Sequence, residues 1–394
     1  MLKTTCRALF MAFFLFLGWV IIIPGDPAPA DQNLPDPRNV FNWSRQERFL
    51  GFKSVEKIAP THTVEAGGRV RELKAASSAV AVKMAAELKP ATDKLIGAGD
   101  IVGVLVVHKG EVLAERYAQG FKPEERWTSF SVAKSITGTL AGAAVRDGFV
   151  SLDDPVVKYV PELKGSAYEG VAVRHLLTMT SGVEWNETYT DPDSDTARLA
   201  MGFGSEDPLA DLAALPRVSK LGTDFSYKTG ESNLLGLVVS RAVKKTLAEY
   251  FSEKIWRPCG MESPAAWAVD SQGREMAGCC LSMTLRDYAR FGLFILDELR
   301  SDQSAVLPAG WFKEATKPVL GHNYGYQWHL IDKNIFAATG IFGQMITIDG
   351  TTDSVAVILS AWDTPTSAAG DDNRFGYLLQ LRGIILKNGG GLKK

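Results

Sequence analysis

From residue 127 to residue 140 the chain reads WTSFSVAKSITGTL. Within this stretch Ser131 and Lys134 are three residues apart, and one turn of helix places such residues side by side. A serine hydroxyl becomes a good nucleophile when a neighbouring base removes its proton, and a desolvated lysine has a lowered pKa that suits this task. If Ser131 also begins the helix, its backbone N–H points towards incoming negative charge. The stretch therefore predicts a nucleophilic serine beside a lysine base.

The S-x-x-K pattern alone is weak, because a chain of this length contains it once or twice by composition. A second match, Ser54 to Lys57, lies in a short polar stretch closed by Pro60 and is followed by no apolar helix. Apolar residues at helical spacing follow Ser131, and Gly148 ends the run. This context favours Ser131. The alternative is that Ser131 only caps the helix and Lys134 is solvated.

Composition indicates a globular chain and excludes an electrostatic nucleic-acid binder. The 394 residues are 46% hydrophobic and 22% charged, with a formal net charge of -2. A chain of this size forms one large domain or two interlocked domains. It has no basic run or stripe beyond short lysine pairs. We therefore expect a small-molecule ligand and no nucleic-acid partner.

The N-terminal residues are typical of an export signal. Lys3 and Arg7 precede an apolar run from Ala8 to Ile23, and a small-residue segment ends at Ala30. Residues 1–30 are therefore a signal peptide cleaved after Ala30, or an uncleaved anchor attached to the membrane through residues 8–23. Both alternatives predict an exported protein, periplasmic or anchored to the inner membrane and facing outward.

The four cysteines leave two alternatives open. In an oxidising compartment Cys259 could bridge to Cys279 or Cys280, or all three could be buried thiols. The remaining cysteine, Cys6, precedes the apolar run. The five histidines are scattered without zinc-ligand spacing, so no metal site is expected.

Hydrophobic patterns divide the chain into helical and sheet regions. Residues 31–100 read as an irregular strap followed by a helix over 71–96, which Pro90 bends or ends. The sequences 101–108 and 111–117, joined by Lys109-Gly110, predict a β-hairpin whose first strand is buried on both faces. Four antiparallel strands are predicted at 324–329, 335–338, 343–348 and 354–360, with a turn at Asp349-Gly350, and a closing helix at 375–386.

The intervening region, residues 150–284, is mostly helix and loop. We therefore expect an α/β domain made of residues 101–149 and 285–394, with a mainly helical domain inserted between its two parts. Thr284 and Asp287 are placed to cap a helix that begins at Leu285. No internal repeat is evident.

Together, Ser131 to Lys134, a tyrosine about a hundred residues later and a late G-x-x-G-Q segment resemble the serine hydrolases related to class C β-lactamases and penicillin-binding proteins. Within that group the chain is most similar to 6-aminohexanoate-dimer hydrolases and carboxylesterase-type members. The likeness covers about residues 101–386. It implies an α/β fold of the β-lactamase type, with an antiparallel sheet flanked by helices and a cleft beside the inserted helical domain.

The resemblance also implies roles for individual residues. Ser131 would be the acylated nucleophile, Lys134 its base, and Tyr227 the group that relays a proton to the leaving group. The family's Y-x-N motif is Tyr227-Lys228-Thr229 here, so its asparagine is missing. Tyr227 could instead be an aromatic residue that packs against the start of the following helix.

The family's K-T-G motif has two candidates in this sequence. Lys228-Thr229-Gly230 is a literal match but overlaps the tyrosine motif, whereas Ala338-Thr339-Gly340 lies on a late predicted strand. We take the second as the counterpart, so the backbone N–H groups of Ser131 and Ile341 would form the oxyanion hole. The residues implied or considered for the substrate cleft are Trp185, Tyr189, Thr229, Trp328, His329, Thr339, Gly340 and Gln344.

Alanine at position 338 replaces a lysine that helps hold the substrate carboxylate in β-lactam-recognising relatives. Losing such a charge-assisted contact costs roughly 1.5–3 kcal/mol. We therefore predict an ester or linear-amide hydrolase that needs no metal or cofactor. The alternatives are a penicillin-recognising β-lactamase or D,D-peptidase, and a non-catalytic binding protein on the same fold.

Overall fold

The computed structural model describes residues 34–200, 205–301 and 303–389. These residues belong to one compact unit, so the predicted division into domains stays a prediction. The predicted signal or anchor segment, residues 1–30, lies outside the described residues. Within the described ranges, no helix has the length and apolar character that crossing a bilayer requires.

Eleven strands are found in the described chain, in two sheets. They are β1 Thr61–Val64, β2 Lys74–Ala75, β3 Ile101–His108, β4 Glu111–Tyr117, β5 Arg126–Thr128, β6 Ala265–Ala268, β7 Leu281–Thr284, β8 His329–Asp332, β9 Ile335–Gly340, β10 Gln344–Asp349 and β11 Ser354–Ser360. The larger sheet has the order β2-β4-β3-β11-β10-β9-β8, and the smaller has the order β1-β6-β7-β5. Every pairing is antiparallel except β2 with β4.

The α-helices of the described chain are α1 Arg45–Gly51, α2 Val55–Ile58, α3 Ala79–Ile96, α4 Val132–Arg146, α5 Val173–Thr178, α6 Pro208–Ala214, α7 Thr229–Val243, α8 Leu247–Phe251, α9 Leu285–Arg300, α10 Trp311–Ala315 and α11 Ala368–Lys387. Short 3-10 segments cover Pro37–Asn42, Val156–Lys158, Pro161–Leu163 and Ile341–Gly343. Single π-turns cover Thr196–Ala200 and Ser252–Trp256.

Helices cover both faces of the larger sheet. On one face, α3 and α11 pack with the outward side chains of β3 and β11 in a small apolar core that includes Leu88 and Leu381. On the other face α9 packs closely, because Gly292 has no side chain where Val355 and Ile346 approach. Every residue of β3 and β11 is buried, and strands buried on both faces require this double cover. The structure confirms the predicted α/β fold with an antiparallel sheet flanked by helices.

Helix α4 lies at the centre of the molecule, and thirteen of its fifteen residues are buried. Its small residues permit close neighbours: a Cβ on Gly142 would meet the ring of Trp311 at 2.6 Å. Because α4 packs against α7 on one side and the end of β9 on the other, its first turn is held between the helical region and the sheet. Ser131, the residue that precedes α4, is therefore fixed at the junction of these regions.

The predicted hairpin is confirmed at the predicted residues, and β3 is buried on both faces. The helix predicted over 71–96 begins only at Ala79, because Lys74 and Ala75 pair with β4, and Pro90 lies inside it. The strand predicted at 324–329 is wrong. Only His329 belongs to β8, because Gln327 has a positive φ of 63° and Gly325 packs against the carbonyl oxygen of Ala315.

Neither alternative for the cysteines is found. Cys279 and Cys280 are bonded to each other, and Cys259 is the free cysteine of the described chain. The adjacent pair is buried at the start of β7, whereas Cys259 lies beyond the second π-turn and is half-buried. The prediction considered only partners distant in sequence.

Candidate active site

Ser131 and Lys134 meet at the start of α4. Ser131 is the N-cap residue of the helix, and its hydroxyl remains free of the usual capping hydrogen bond. Lys134 Nζ lies 2.8 Å from Ser131 Oγ and 2.9 Å from the carbonyl oxygen of Gly278. Lys134 is 1% exposed, whereas Ser131 is only half-buried. The hydroxyl is thus accessible and its amine neighbour is not.

The surroundings of Lys134 favour its neutral form. Burial lowers the pKa of the Lys134 ammonium to about 8, and the negative charge of Glu187 opposes this by raising it. A lysine buried without an ion pair loses hydration that only its charged form enjoys. Much more of Lys134 is therefore an uncharged amine at mildly alkaline pH than for an ordinary lysine, and this amine can accept a proton from Ser131.

Tyr227 completes the group from the segment that precedes α7. Its ring centroid lies 5.0 Å from Lys134 Nζ. Burial raises the pKa of the Tyr227 phenol, and the charge of Glu187 raises it further, while a hydrogen bond with Ser131 acts in the opposite direction. The phenol therefore stays protonated at neutral pH, which suits a proton donor better than a resting base.

The two backbone amides predicted to form an oxyanion hole belong to segments that are distant in sequence but close in space. Gly340 ends β9 beside the nucleophile, since a Cβ built on it would lie 3.1 Å from the amide nitrogen of Ser131 and 2.5 Å from the carbonyl oxygen of Ser129. Ile341 follows directly. In the described chain, neither the Ser131 nor the Ile341 amide donates to a side chain or takes part in a turn, loop or cap hydrogen bond.

Each of these amides adjoins a residue with unusual backbone geometry. Phe130 precedes Ser131 with φ 43°, and Phe342 follows Ile341 with φ 58°. Left-handed backbone at a non-glycine residue costs about 1–3 kcal/mol and persists only where the surrounding structure holds it. Both phenylalanines are buried, at 2% and 0% exposure, so packing holds both.

A cleft of about 390 Å³ opens at Ser131. Of the residues considered for the cleft, Tyr189, His329, Thr339 and Gly340 line it together with Tyr227 and Ile341. His329 makes aromatic contacts with Tyr324 and Tyr227, at centroid distances of 5.0 and 6.0 Å. Burial, with the positive charges of Arg374 and Lys134, lowers the pKa of His329 to about 4, so its imidazole is neutral at physiological pH.

The other predicted cleft residues do not line this opening. Trp185 packs its ring against Gly230. Thr229 begins α7 and donates its hydroxyl to Glu187 at 2.5 Å. Trp328 is fully buried against Phe312 and Phe336. These side chains face inward because each packs against a neighbouring segment of the protein.

Gln344 is also fully buried, and its side chain holds neighbouring segments of the chain together. Its amide nitrogen donates to the carbonyl oxygens of Ser360, at 2.8 Å, and of Ile341, at 3.3 Å. Its carbonyl oxygen accepts from Ser360 N at 3.0 Å and from the Trp127 indole at 3.2 Å. Gln344 therefore joins the end of β9 to the stretch that leads into the nucleophile.

Glu187, a carboxylate near the reactive group, was not predicted from the sequence. Its oxygens accept hydrogen bonds from the Thr229 amide at 3.0 Å, the Tyr189 hydroxyl at 3.0 Å and the Trp185 indole. Glu187 thereby ties the loop that carries Tyr189 to the start of α7. No local motif marks it, because its partners lie on two different segments.

Arg374, on the first turns of α11, was also missed. It lines the cleft although it is 7% exposed, and its guanidinium stacks on Trp362 at 4.8 Å. One terminal nitrogen pairs with Asp371 at 2.5 Å, while Nε and Nη1 are buried without a hydrogen-bond partner in the described chain. Buried donors left unpaired in this way are rare in folded proteins.

The literal match to K-T-G occupies the protein interior. Lys228 is 1% exposed and faces Glu231 across 3.8 Å, and Glu231 also accepts from the Ser181 hydroxyl. Burial raises the pKa of Glu231 to about 7, although Lys228 opposes the shift. Ala338 is buried on β9, whereas Thr339 and Gly340 line the cleft.

Within the described residues no cluster of ligand side chains could hold a metal ion.

Comparisons with known proteins agree with this arrangement. The sequence model of the β-lactamase family matches residues 88–380. The chain is 32% identical over 305 residues to the 6-aminohexanoate-dimer hydrolase of Paenarthrobacter ureafaciens, covering 72% of this chain and 76% of that protein. It is 30% identical over 202 residues to the esterase EstB of Burkholderia gladioli, covering 46% and 51%.

A similar fold is found among solved structures. A protein from Bacillus anthracis, provisionally named a 6-aminohexanoate-dimer hydrolase, superposes with a TM-score of 0.77 at 23% identity, covering 91% of this chain and 99% of that one. EstCE1, described as a hydrolase with promiscuous acyltransferase activity, superposes with a TM-score of 0.62 at 18% identity, covering 78% and 100%. The family model spans most of the chain and includes Ser131, Lys134 and Tyr227, so the chain belongs to the β-lactamase family of serine hydrolases.

Proposed function

We propose that this protein hydrolyses ester or linear amide bonds of small molecules through an acyl-enzyme on Ser131. The observation that carries the proposal is the 2.8 Å contact between Ser131 Oγ and the buried Lys134 amine at the mouth of a cleft. The amidase and esterase names of similar proteins support this substrate class.

Acylation begins when Ser131 transfers its proton to Lys134 and its oxygen attacks the substrate carbonyl carbon. The carbonyl π-electrons move to oxygen, and the resulting oxyanion accepts hydrogen bonds from the amides of Ser131 and Ile341. One such donor is worth about 10²–10³ in rate.

The tetrahedral intermediate collapses when the leaving group receives a proton from Tyr227. Tyr227 regains that proton from the Lys134 ammonium, whose Nζ lies 5.0 Å from its ring centroid. In deacylation, water attacks the ester carbonyl and releases its proton to the same pair, and Ser131 is reprotonated as it leaves. Each half-reaction thus ends with the site in its starting protonation state.

The test is labelling with a fluorophosphonate probe, followed by a substrate panel. We expect the probe to modify Ser131 in the folded protein and the Ser131→Ala variant to resist it. The panel compares p-nitrophenyl butyrate, a linear amide dimer and the cephalosporin nitrocefin. A folded protein with an unlabelled Ser131 would refute the proposal and leave the non-catalytic binding protein as the alternative.

Arg374 favours a second candidate function, the hydrolysis of substrates that carry a carboxylate, as β-lactams and peptidyl C-termini do. Ala338 stands where the family has a lysine, but Arg374 on α11 lines the cleft, and Asp371 pairs with only one of its nitrogens. A guanidinium nitrogen donates a strong, charge-assisted hydrogen bond to a carboxylate. Efficient nitrocefin turnover with weak ester cleavage would support a penicillin-recognising enzyme over an esterase or amidase.

The basic residues and apolar run of residues 1–30 support the further proposal that the enzyme works outside the cytoplasm. The measurement is fractionation of cells that express the full chain, combined with determination of the N-terminal residue. Periplasmic protein beginning near residue 31 indicates a cleaved signal. An intact chain in the membrane fraction indicates an anchor, and an intact cytoplasmic chain refutes export.

A further inference from the structure

We infer that Phe52, in the N-terminal strap, is a positioning residue for the oxyanion hole. Here the N-terminal strap means residues 34–60. The inference rests on the proposed function, since it concerns the amides of Ser131 and Ile341. Phe52 lies outside the residues 88–380 that the family model matches. It is 1% exposed.

Three aromatic rings pack together directly behind the two amides. Phe52 contacts Phe130 edge-to-face at a centroid distance of 4.9 Å and contacts Phe342 at 5.1 Å. Phe130 and Phe342 contact each other at 5.3 Å. The ring of Phe52 thus touches both residues whose backbones have positive φ next to the oxyanion-hole amides.

The backbone of Phe52 adds a further link. Its carbonyl oxygen accepts a hydrogen bond from the amide of Thr128 at 2.9 Å, at the end of the strand that leads into Phe130. Trp127, the preceding residue, also packs edge-to-face on Phe52 at 5.6 Å. Phe52 therefore holds the approach to the nucleophile through its main chain as well as its ring.

These contacts have a catalytic consequence because an oxyanion hole works only when its donors are pre-aligned. Without Phe52, Phe130 and Phe342 lose the packing that opposes relaxation to negative φ. A change in φ at Phe130 reorients the peptide plane that carries the Ser131 N–H, and a change at Phe342 displaces Ile341, whose N–H lies one peptide plane further back. The two N–H groups then no longer converge on the position of the developing charge, although Ser131, the N-cap of α4, and Lys134, in its first turn, keep their contact.

The expected result of Phe52→Ala is a kcat for p-nitrophenyl butyrate about 10- to 100-fold lower, since losing one donor completely lowers the rate about 10²–10³-fold. KM should change less than about threefold. The Ki of a trifluoromethyl ketone, which binds as a tetrahedral adduct, should rise in parallel with the fall in kcat. Phe52→Leu keeps part of the contact and should retain an intermediate kcat.

The matched control is Phe251→Ala. Phe251 is fully buried and, like Phe52, packs among aromatic rings, here those of Trp256, Trp267 and Phe291, outside the cleft. It should lose similar thermal stability while kcat and the Ki of the ketone stay within about threefold of the parent values. All assays are run well below the lowest Tm. If Phe52→Ala does not fold, Phe52→Leu and Phe52→Met replace it in the same comparison.

The outcomes separate this inference from the proposed function. If the parent protein is not labelled at Ser131 by the fluorophosphonate, the proposed function fails and the inference fails with it. If the parent is labelled and the Phe52 variants match Phe251→Ala in kcat and in Ki, the positioning role alone is refuted. A loss confined to the Phe52 variants supports it.

Discussion

Replacing Arg374 by methionine should separate substrates that carry a carboxylate from those that do not. Methionine keeps an unbranched apolar stem against Trp362 but removes every donor. In the parent protein Arg374 lines the cleft and only one of its terminal nitrogens pairs with Asp371, so its guanidinium can donate a charge-assisted hydrogen bond to a carboxylate there. Hydrogen bonds to charged groups are worth about 1.5–3 kcal/mol. The expected loss is therefore about 10- to 100-fold.

Three esters test this expectation through kcat/KM. p-Nitrophenyl valerate is neutral, p-nitrophenyl hydrogen glutarate has a carboxylate on the acyl side, and 4-carboxyphenyl valerate has one on the leaving group. At least one charged ester should lose about 10- to 100-fold in Arg374→Met, and the neutral ester less than about threefold. Which charged ester responds identifies the side of the scissile bond that faces α11.

Arg382→Met is the matched control, because Arg382 lies on the same helix and pairs with Asp349 outside the cleft. It should leave all three esters unchanged within about threefold. Equal losses on neutral and charged esters in Arg374→Met would show that Arg374 only supports the fold. If Arg374→Met did not change the ratio of kcat/KM for either charged ester to that for the neutral ester, a carboxylate site at Arg374 would be refuted.

Three further predictions concern the groups around the nucleophile. The pH profile of kcat/KM should have an acid limb with an apparent pKa near 8, because only the neutral Lys134 amine accepts the proton; titration of initial rates from pH 5 to 10 measures it. Glu187→Gln should shift that limb to lower pH, because the carboxylate it removes raises the pKa of Lys134; a limb that stays or rises would contradict this. Gly340→Ala should abolish fluorophosphonate labelling, since its Cβ would lie 2.5 Å from the carbonyl oxygen of Ser129, whereas Gly383→Ala, on an open face of α11, should label normally.

Features set by neighbouring residues could be predicted from the sequence. The first hairpin was predicted at its observed residues because the apolar run of β3 and the Lys109-Gly110 turn, with φ of 47° and 81°, are local signals. The first turn of α4 was predictable for the same reason. Ser131 and Lys134 needed only one helical turn to meet.

The rest of the site depends on contacts between distant segments. Arg374 and Glu187 resemble ordinary surface charges in the sequence, and their positions follow from the packing of α11 and of the loop before the first π-turn. The segment 324–329 shows the opposite error. Its aromatic alternation predicts a strand, but close packing of Gly325 on Ala315 turns the chain away from the sheet.

The N-terminal strap has a practical consequence for anyone who trims this protein. Cutting at residue 88, where the match to the family model begins, would spare the nucleophile, its amine partner and the phenol. It would also remove the aromatic ring that sits behind both amide donors. It would further remove β1, β2 and the first half of α3, so a shortened chain that is meant to stay active should keep the residues from 34 onward.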